Sequence, residues 1–291
     1  MNKVLLYIYI VIIFILSPQW VATAAAGVIN DTSECRTLLD SKRYQEAISV
    51  CKEAAEAGDS VAQFNLSSMY SFGWGVSADD AEALKWLRAS AVQRYPPAQY
   101  ALASRYGAGK GVRKDSKEAV RLLQDAGGQG FLLAQMLLGQ SYEKGYQYLG
   151  IKPDVGEAIK WYRQAANQCA ACQYELWRAY YFGIGVDKDY VQGALYLEKA
   201  ANAGLPKAQM QLAFRYLDGE GVPKDNVRAY KWFYIAEKSG ELTARKALPL
   251  LADKISGSEI AEAKTLADQT MEKLVIDTKQ LCTLYGQFCK K

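Results

Sequence analysis

Between residues 59 and 240 the apolar positions step by four rather than by two, which marks helical faces and not strands. A small residue, a Leu and a Tyr form the stripe five times: Ala62–Leu66–Tyr70, Ala98–Leu102–Tyr106, Ala134–Leu138–Tyr142, Cys172–Leu176–Tyr180 and Ala208–Leu212–Tyr216. A Gln follows each small residue, as Gln63, Gln99, Gln135, Gln173 and Gln209. The stripe predicts five helices. After four of them comes a Gly-x-Gly-Val turn, at Gly73, Gly109, Gly183 and Gly219, where glycine permits left-handed backbone angles at a helix end. An Asp then stands ready to cap a second helix: Asp79, Asp115, Asp154, Asp189 and Asp225. That second helix carries Trp86, Leu122, Trp161, Tyr196 or Trp232 at one matched position and ends in alanine-rich sequence. Helix, glycine turn, helix is the repeating unit. The third unit is longer, with Tyr146 to Leu149 inserted between Gly145 and Gly150.

The Gly-x-Gly here follows a helix, so it is a turn and not the dinucleotide-binding fingerprint, which follows a strand. The five Ala-Gln-x-x-Leu…Tyr…Gly-x-Gly-Val…Asp…Ala units resemble the Sel-1-like repeat family, a relative of the tetratricopeptide repeat. The resemblance implies an all-α fold, a right-handed α/α superhelix of stacked helical hairpins with an extended concave surface. It also implies a scaffold that binds a protein or peptide partner and is not an enzyme. The expected organisation is a leader over 1–26, a divergent hairpin over 27–58, five repeats over 59–240 and capping helices over 241–291.

Residues 1–26 read as a secretory signal peptide: Lys3, an apolar run from Val4 to Leu16, Pro18, and small residues at Ala22, Ala24 and Ala26 suited to cleavage. The apolar run is shorter than the ~20 residues of a membrane span. The expected chain is exported, periplasmic in the first instance with secretion as the alternative, and has no membrane span once cleaved. Its 35 basic and 31 acidic residues give +4, and loss of Lys3 would leave +3. That balance is too mild to indicate nucleic-acid binding.

The chain contains no histidine, which removes Ser-His-Asp and Cys-His catalysis and His-ligated zinc. No cofactor is implied. Ser49-x-x-Lys52 and Ser141-x-x-Lys144 match an element of penicillin-recognising enzymes but lack its partner motifs. Penicillin binding is linked to cysteine-rich relatives, so an envelope enzyme acting on β-lactam or peptidoglycan-like substrates stands as the alternative function. Export makes disulfides expected among the 6 cysteines. Cys35 and Cys51 flank a hairpin turn near Lys42 and Arg43. Cys169 and Cys172 form a local structural bridge at a helix start, with a redox pair or free thiols as the alternatives, since no βαβ unit surrounds them. Cys282 and Cys289 could close on each other if Gly286 ends the helix.

Packing positions repeat, so partner recognition should lie where the repeats differ. Trp177 replaces Ser67, Ala103, Gly139 and Ala213, while Arg178 and Phe214 occupy a second variable position and Arg105 and Arg215 a third. With Tyr174 these form the candidate partner-binding set, since aromatics and Arg anchor interfaces. The competing reading has Trp177 filling space left by Gly193, and Phe214 in the core.

Overall fold

The computed structural model describes residues 31–285, with side chains placed from Glu34 to Leu274. The expected leader and Cys289 lie outside the described residues, as does the side chain of Cys282. The fold is all-α, a solenoid-type series of consecutive helical hairpins. The chain divides into two compact units, Met1–Asp154 and Val155–Lys291. In the first stand α1 (Asp31–Asp40), α2 (Tyr44–Glu56), α3 (Ser60–Phe72), α4 (Asp80–Val92), α5 (Pro96–Ala108), α6 (Ser116–Gly128) and α7 (Leu132–Lys144). In the second stand α8 (Val155–Ala165), α9 (Ala170–Phe182), α10 (Tyr190–Asn202), α11 (Pro206–Asp218), α12 (Asn226–Lys238), α13 (Leu242–Ala252) and α14 (Gly257–Tyr285).

The stripe residues make the core. Ala62, Ala98, Ala134 and Ala208 are wholly buried, as are Leu66, Leu138, Leu176 and Leu212. The small side chains let neighbouring helices approach while the leucines fill the space between them. The glycine turn closes each hairpin by a fixed set of bonds. Gly73, Gly109, Gly183 and Gly219 adopt φ of 68–76° and end their helices in the left-handed region. The amide of the capping Asp then donates to the stripe Tyr carbonyl: Asp79 to Tyr70, Asp115 to Tyr106, Asp154 to Tyr142, Asp189 to Tyr180 and Asp225 to Tyr216, at 2.7–3.0 Å. Asp79, Asp115, Asp189 and Asp225 also accept from first-turn amides of the following helix. In the third unit the inserted residues form a single 3-10 turn, Gln147–Leu149, and Gly145 and Gly150 both remain left-handed. Leu149 is buried, and the Tyr148 carbonyl accepts from Ser116 Oγ at 3.1 Å.

The second glycine of the turn does a different job. A Cβ on Gly75 would collide with the Tyr44 carbonyl at the start of α2, and one on Gly221 with the Tyr190 carbonyl at the start of α10. Backbone meets backbone there, so the turn of one repeat rests on the second helix of the preceding one. At Gly111 the nearest atom is only the flexible end of Arg105, 3.3 Å away.

The repeated glutamines tie hairpin to hairpin. Each is nine-tenths buried or more. Gln63 Nε2 donates to the Ala55 carbonyl at 3.1 Å, Gln135 to Gly127 at 2.9 Å, Gln173 to Ala166 at 2.5 Å and Gln209 to Ala201 at 3.3 Å. These acceptors lie at or near the end of the preceding helix, where carbonyls lack an intrahelical donor. The glutamine Oε1 accepts from a residue thirty positions on: Gln93 to Gln63, Gln129 to Gln99, Ser239 to Gln209. In the fourth repeat the corresponding residue is Ala203, and Gln173 Oε1 is buried with no partner among the described residues.

The cysteines complete the frame. Cys35 and Cys51 are bonded across the α1–α2 hairpin, both wholly buried. A bridge of this loop length stabilises by about 3 kcal/mol. Cys169 and Cys172 are bonded at the start of α9. Cys169 Sγ accepts from the Cys172 amide at 2.9 Å, so sulfur occupies the N-cap place that Asp59 holds in α3. Both sulfur residues are buried, which withholds them from thiol exchange with another protein.

Two outcomes follow for urea unfolding. Gly221→Ala is expected to cost well over the ~1–2 kcal/mol of a left-handed L-residue, because backbone must move as well, while Gly111→Ala costs only about that amount; equal losses would remove the proposed backbone contact. Ala203→Gln supplies the missing donor to Gln173 and is expected to stabilise by about 1 kcal/mol. A neutral or destabilising result would show that the orphaned oxygen is satisfied in another way.

Candidate partner-binding surface

Helix α9 carries three of the six side chains singled out from the sequence, Tyr174, Trp177 and Arg178; Phe214 and Arg215 stand on α11, and Arg105 on α5 of the first unit. Tyr174, Arg178 and Tyr181 step by four and three along one face, each half-buried. Trp177 lies beneath them at 3% exposure, its ring centroid 4.9 Å from Tyr174 and 5.6 Å from Tyr181. A Cβ on Gly193 would sit 3.5 Å from the Trp177 ring. That is an ordinary contact distance, so an alanine would also fit beside the indole; at 3% exposure Trp177 is core rather than an exposed anchor. Its Nε1 is buried without a hydrogen-bond partner among the described residues.

Phe214 is half-buried and meets Phe233 edge-on, with centroids 5.0 Å apart. The two matched arginines are turned inward. Arg215 lies over the Tyr181 ring at 4.5 Å, donates to the Tyr181 hydroxyl and the Glu220 carboxylate, and has Asp218 at 3.4 Å. Arg105 Nη2 donates to Ser71 Oγ and to Asp80, each at 3.2 Å. Both arginines reach back to the preceding repeat and clasp it, so their charge is committed within the chain. Of the candidate set, Tyr174 and Arg178 present the most accessible polar atoms. Arg178 pairs with Glu175 at 2.5 Å.

Electrostatics reinforce this division. Burial, then the neighbouring Glu175, raises the Tyr174 hydroxyl above the usual tyrosine range, with Glu241 adding to it and Arg178 opposing. Tyr181 is raised by burial and by its bond to Glu220, at 2.5 Å, while Arg215 opposes. Both stay neutral donors at ordinary pH. The surface offers π faces, a guanidinium and phenolic hydroxyls, the chemistry of recognition.

The sequence reading missed two exposed residues beside this face. Phe182 is 58% exposed and Ile184 40%. Phe182 is the last residue of its helix and Ile184 the x of Gly-x-Gly, positions held elsewhere by Phe72, Ala108, Lys144 or Asp218 and by Trp74, Lys110 or Glu220, so repeat one is also aromatic at both. The signal was the apolar residue at a variable turn position. The two Ser-x-x-Lys matches find no site. Ser141 is wholly buried and donates to the Leu137 carbonyl at 2.6 Å, and Ser49 donates to the Glu46 carbonyl at 3.2 Å on an exposed helix face.

No described helix is long and apolar enough to cross a membrane. Comparison with known proteins agrees with the architecture. The family model described as Sel1 repeat matches residues 60–93, 96–131, 132–168, 170–205 and 206–241, more than half of the chain. A solved Sel1 repeat protein from Oxalobacter formigenes is 29% identical, with a TM-score of 0.62 over 82% of this chain and 99% of that one. The structure of c5321, a protective antigen present in uropathogenic Escherichia coli strains, shares the fold at 24% identity and a TM-score of 0.50, covering 90% of this chain and 65% of that one. The chitin synthase regulator SKT5 of Saccharomyces cerevisiae is 31% identical over 121 residues, 40% of this chain and 17% of the yeast protein. Chitin synthase regulatory factor 3 of Schizosaccharomyces pombe is 33% identical over 113 residues, 38% of this chain and 12% of that protein. The chain thus matches less than a fifth of either regulator. Sel1 repeat proteins are generally non-enzymatic scaffolds that bind other proteins, and on five matched repeats with the corresponding hairpins this chain belongs to the Sel1 repeat family.

Proposed function

We propose that this chain is an exported scaffold that holds a protein or peptide partner on the α9–α11 face, with Tyr174 and Arg178 as the central contacts and Phe182 at the edge. The observation that carries the reading is the split within α9. Trp177 is sacrificed to the core, and the residues it supports, Tyr174 and Arg178, stay at the surface as residue types enriched in interface hot spots. Arg105 and Arg215, first grouped with them, serve the array itself. The regulatory names of the two fungal relatives fit a scaffold that acts by holding another protein. The leader-like sequence over 1–26 supports export, and the bridges at Cys35–Cys51 and Cys169–Cys172 suit a compartment outside the reducing cytosol. The periplasm is the proposed location.

Full-length protein produced with its natural N-terminus tests both parts. Fractionation with N-terminal sequencing is expected to find mature chain in the periplasm, cleaved after Ala24 or Ala26; intact residues 1–26 on cytosolic protein would contradict export. A partner retained from envelope extract is expected to bind at least ten-fold more weakly, about 1.4 kcal/mol, to Tyr174→Ala/Arg178→Ala than to the parent chain. Undiminished binding by a folded double variant would move the partner to another face.

A further inference from the structure

The inserted turn of the third repeat opens a groove within the first unit. Five residues after the capping Asp, the second helix of each repeat carries Leu84, Val120, Ile159, Ala194 or Tyr230. Four of these are buried, and Val120 is half-exposed. The reason lies in the turn of the following repeat. A Cβ on Gly185 would stand 3.0 Å from the Ile159 side chain, and one on Gly221 3.0 Å from that of Ala194. In those repeats the second glycine of the turn lies directly on the residue. Gly150 holds the matching place, four residues before Asp154, yet its nearest neighbour is the Ser116 side chain at 3.4 Å. The longer turn meets α6 at its first residue instead, and Val120 is left uncovered.

The space between α6, Tyr142 of α7 and the 149–154 segment is about 730 Å³. Ligand sites range over roughly 300–1,000 Å³. Its apolar lining is Val120, Leu149, Ile151 and Pro153. Its charged lining is Lys117, Arg121 and Lys152 against one acid, Asp154. Arg121 is answered outside the groove by Glu118 at 2.6 Å and Asp125 at 2.7 Å. Lys117 and Lys152 are exposed and make no ion pair among the described residues. Where Lys117 stands, the other repeats have Ala81, Gly156, Val191 and Val227, so only the repeat with the groove places a cation there.

Shape and charge together define the occupant. Lys117, Arg121, Gln124 and Pro153 are all exposed, so the groove is open and would enclose little of a compact molecule. Small-ligand sites bury most of their ligand. Ser116 to Gln124 is a stretch of helix about 12 Å long, which matches about four residues of extended chain. Unpaired ammonium groups beside uncovered aliphatics complement carboxylates beside aliphatic side chains.

We propose that this groove docks an extended acidic segment of a partner protein. An aliphatic residue of that segment rests on Val120 and Ile151, and flanking Asp or Glu residues meet Lys117 and Lys152. The groove belongs to the first compact unit and the α9–α11 face to the second, so the two sites stand or fall separately.

Selection from a displayed library of random seven-residue peptides on the immobilised full chain tests this, run in parallel on Lys117→Glu/Lys152→Glu. Both lysines are exposed and unpaired, so the variant is expected to keep the parent's unfolding midpoint. Peptides enriched on the parent and lost on the variant are expected to set Asp or Glu beside Leu, Ile or Val. By fluorescence anisotropy they are expected to bind the variant at least ten-fold more weakly, and Tyr174→Ala/Arg178→Ala as tightly as the parent. Val120→Ser removes apolar surface without changing charge and is expected to weaken them about five-fold. No enrichment on the parent overturns the proposal, as does recovery of the same peptides on both proteins or a lost set that is neutral or basic. Affinity left unchanged by Val120→Ser overturns it too, since a diffuse positive surface would then be the binding site.

Discussion

A buried glutamine in every repeat bonds to a neighbouring one, in both directions at Gln63 and Gln209. Packing alone would let one hairpin slide over the next, because alanine and leucine faces are non-directional. The amide removes that freedom: its nitrogen must meet a carbonyl at the end of the preceding helix, and its oxygen a donor thirty residues ahead. A buried amide that misses either partner loses free energy, so the bond specifies register as well as strength. Gln63 satisfies both ends and Gln173 only one.

Around that link the other repeated residues take distinct roles. Tyr carbonyls and Asp amides close the turn, the first glycine ends the helix, and the second lets turn and helix backbones touch. With so much of each hairpin prescribed, variation is confined to a few outward positions. The fourth repeat concentrates such variation. It has a cysteine pair at its N-cap, Trp177 opposite Gly193, no donor for Gln173, and an apolar outer face at Val191 and Leu195. Departures from a well-satisfied pattern gather where function does. Here they coincide with the proposed partner surface.

The hairpins were legible because their signals are local and recur. A helical stripe, a glycine pair and a capping Asp each report on fewer than a dozen residues, and five copies average out chance. The Cys35–Cys51 bridge was legible for the same reason, since a hairpin turn near Lys42 brings its flanks level. The site was only partly legible. Sequence variability picked out Trp177, Arg105 and Arg215, yet it cannot tell a residue that faces outward from one that has changed to suit a changed neighbour. Trp177 is buried against Tyr174 and Tyr181, and Arg215 answers Tyr181 and Glu220. The glutamine was noticed in every repeat but read only as packing. Its bonds run to residues far along the chain, and only the recurrence of Gln93, Gln129 and Ser239 at a matched position hinted at them.

The most direct test of this account is the unfolding free energy of Gln209→Met, which keeps the side chain's bulk and removes both polar ends. Loss of the bonds to Ala201 and Ser239 predicts a decrease of about 1–3 kcal/mol relative to the parent chain, with helical content unchanged before unfolding. Stability equal to or above the parent's would show that apolar stacking alone sets the repeats in register, and would contradict the account.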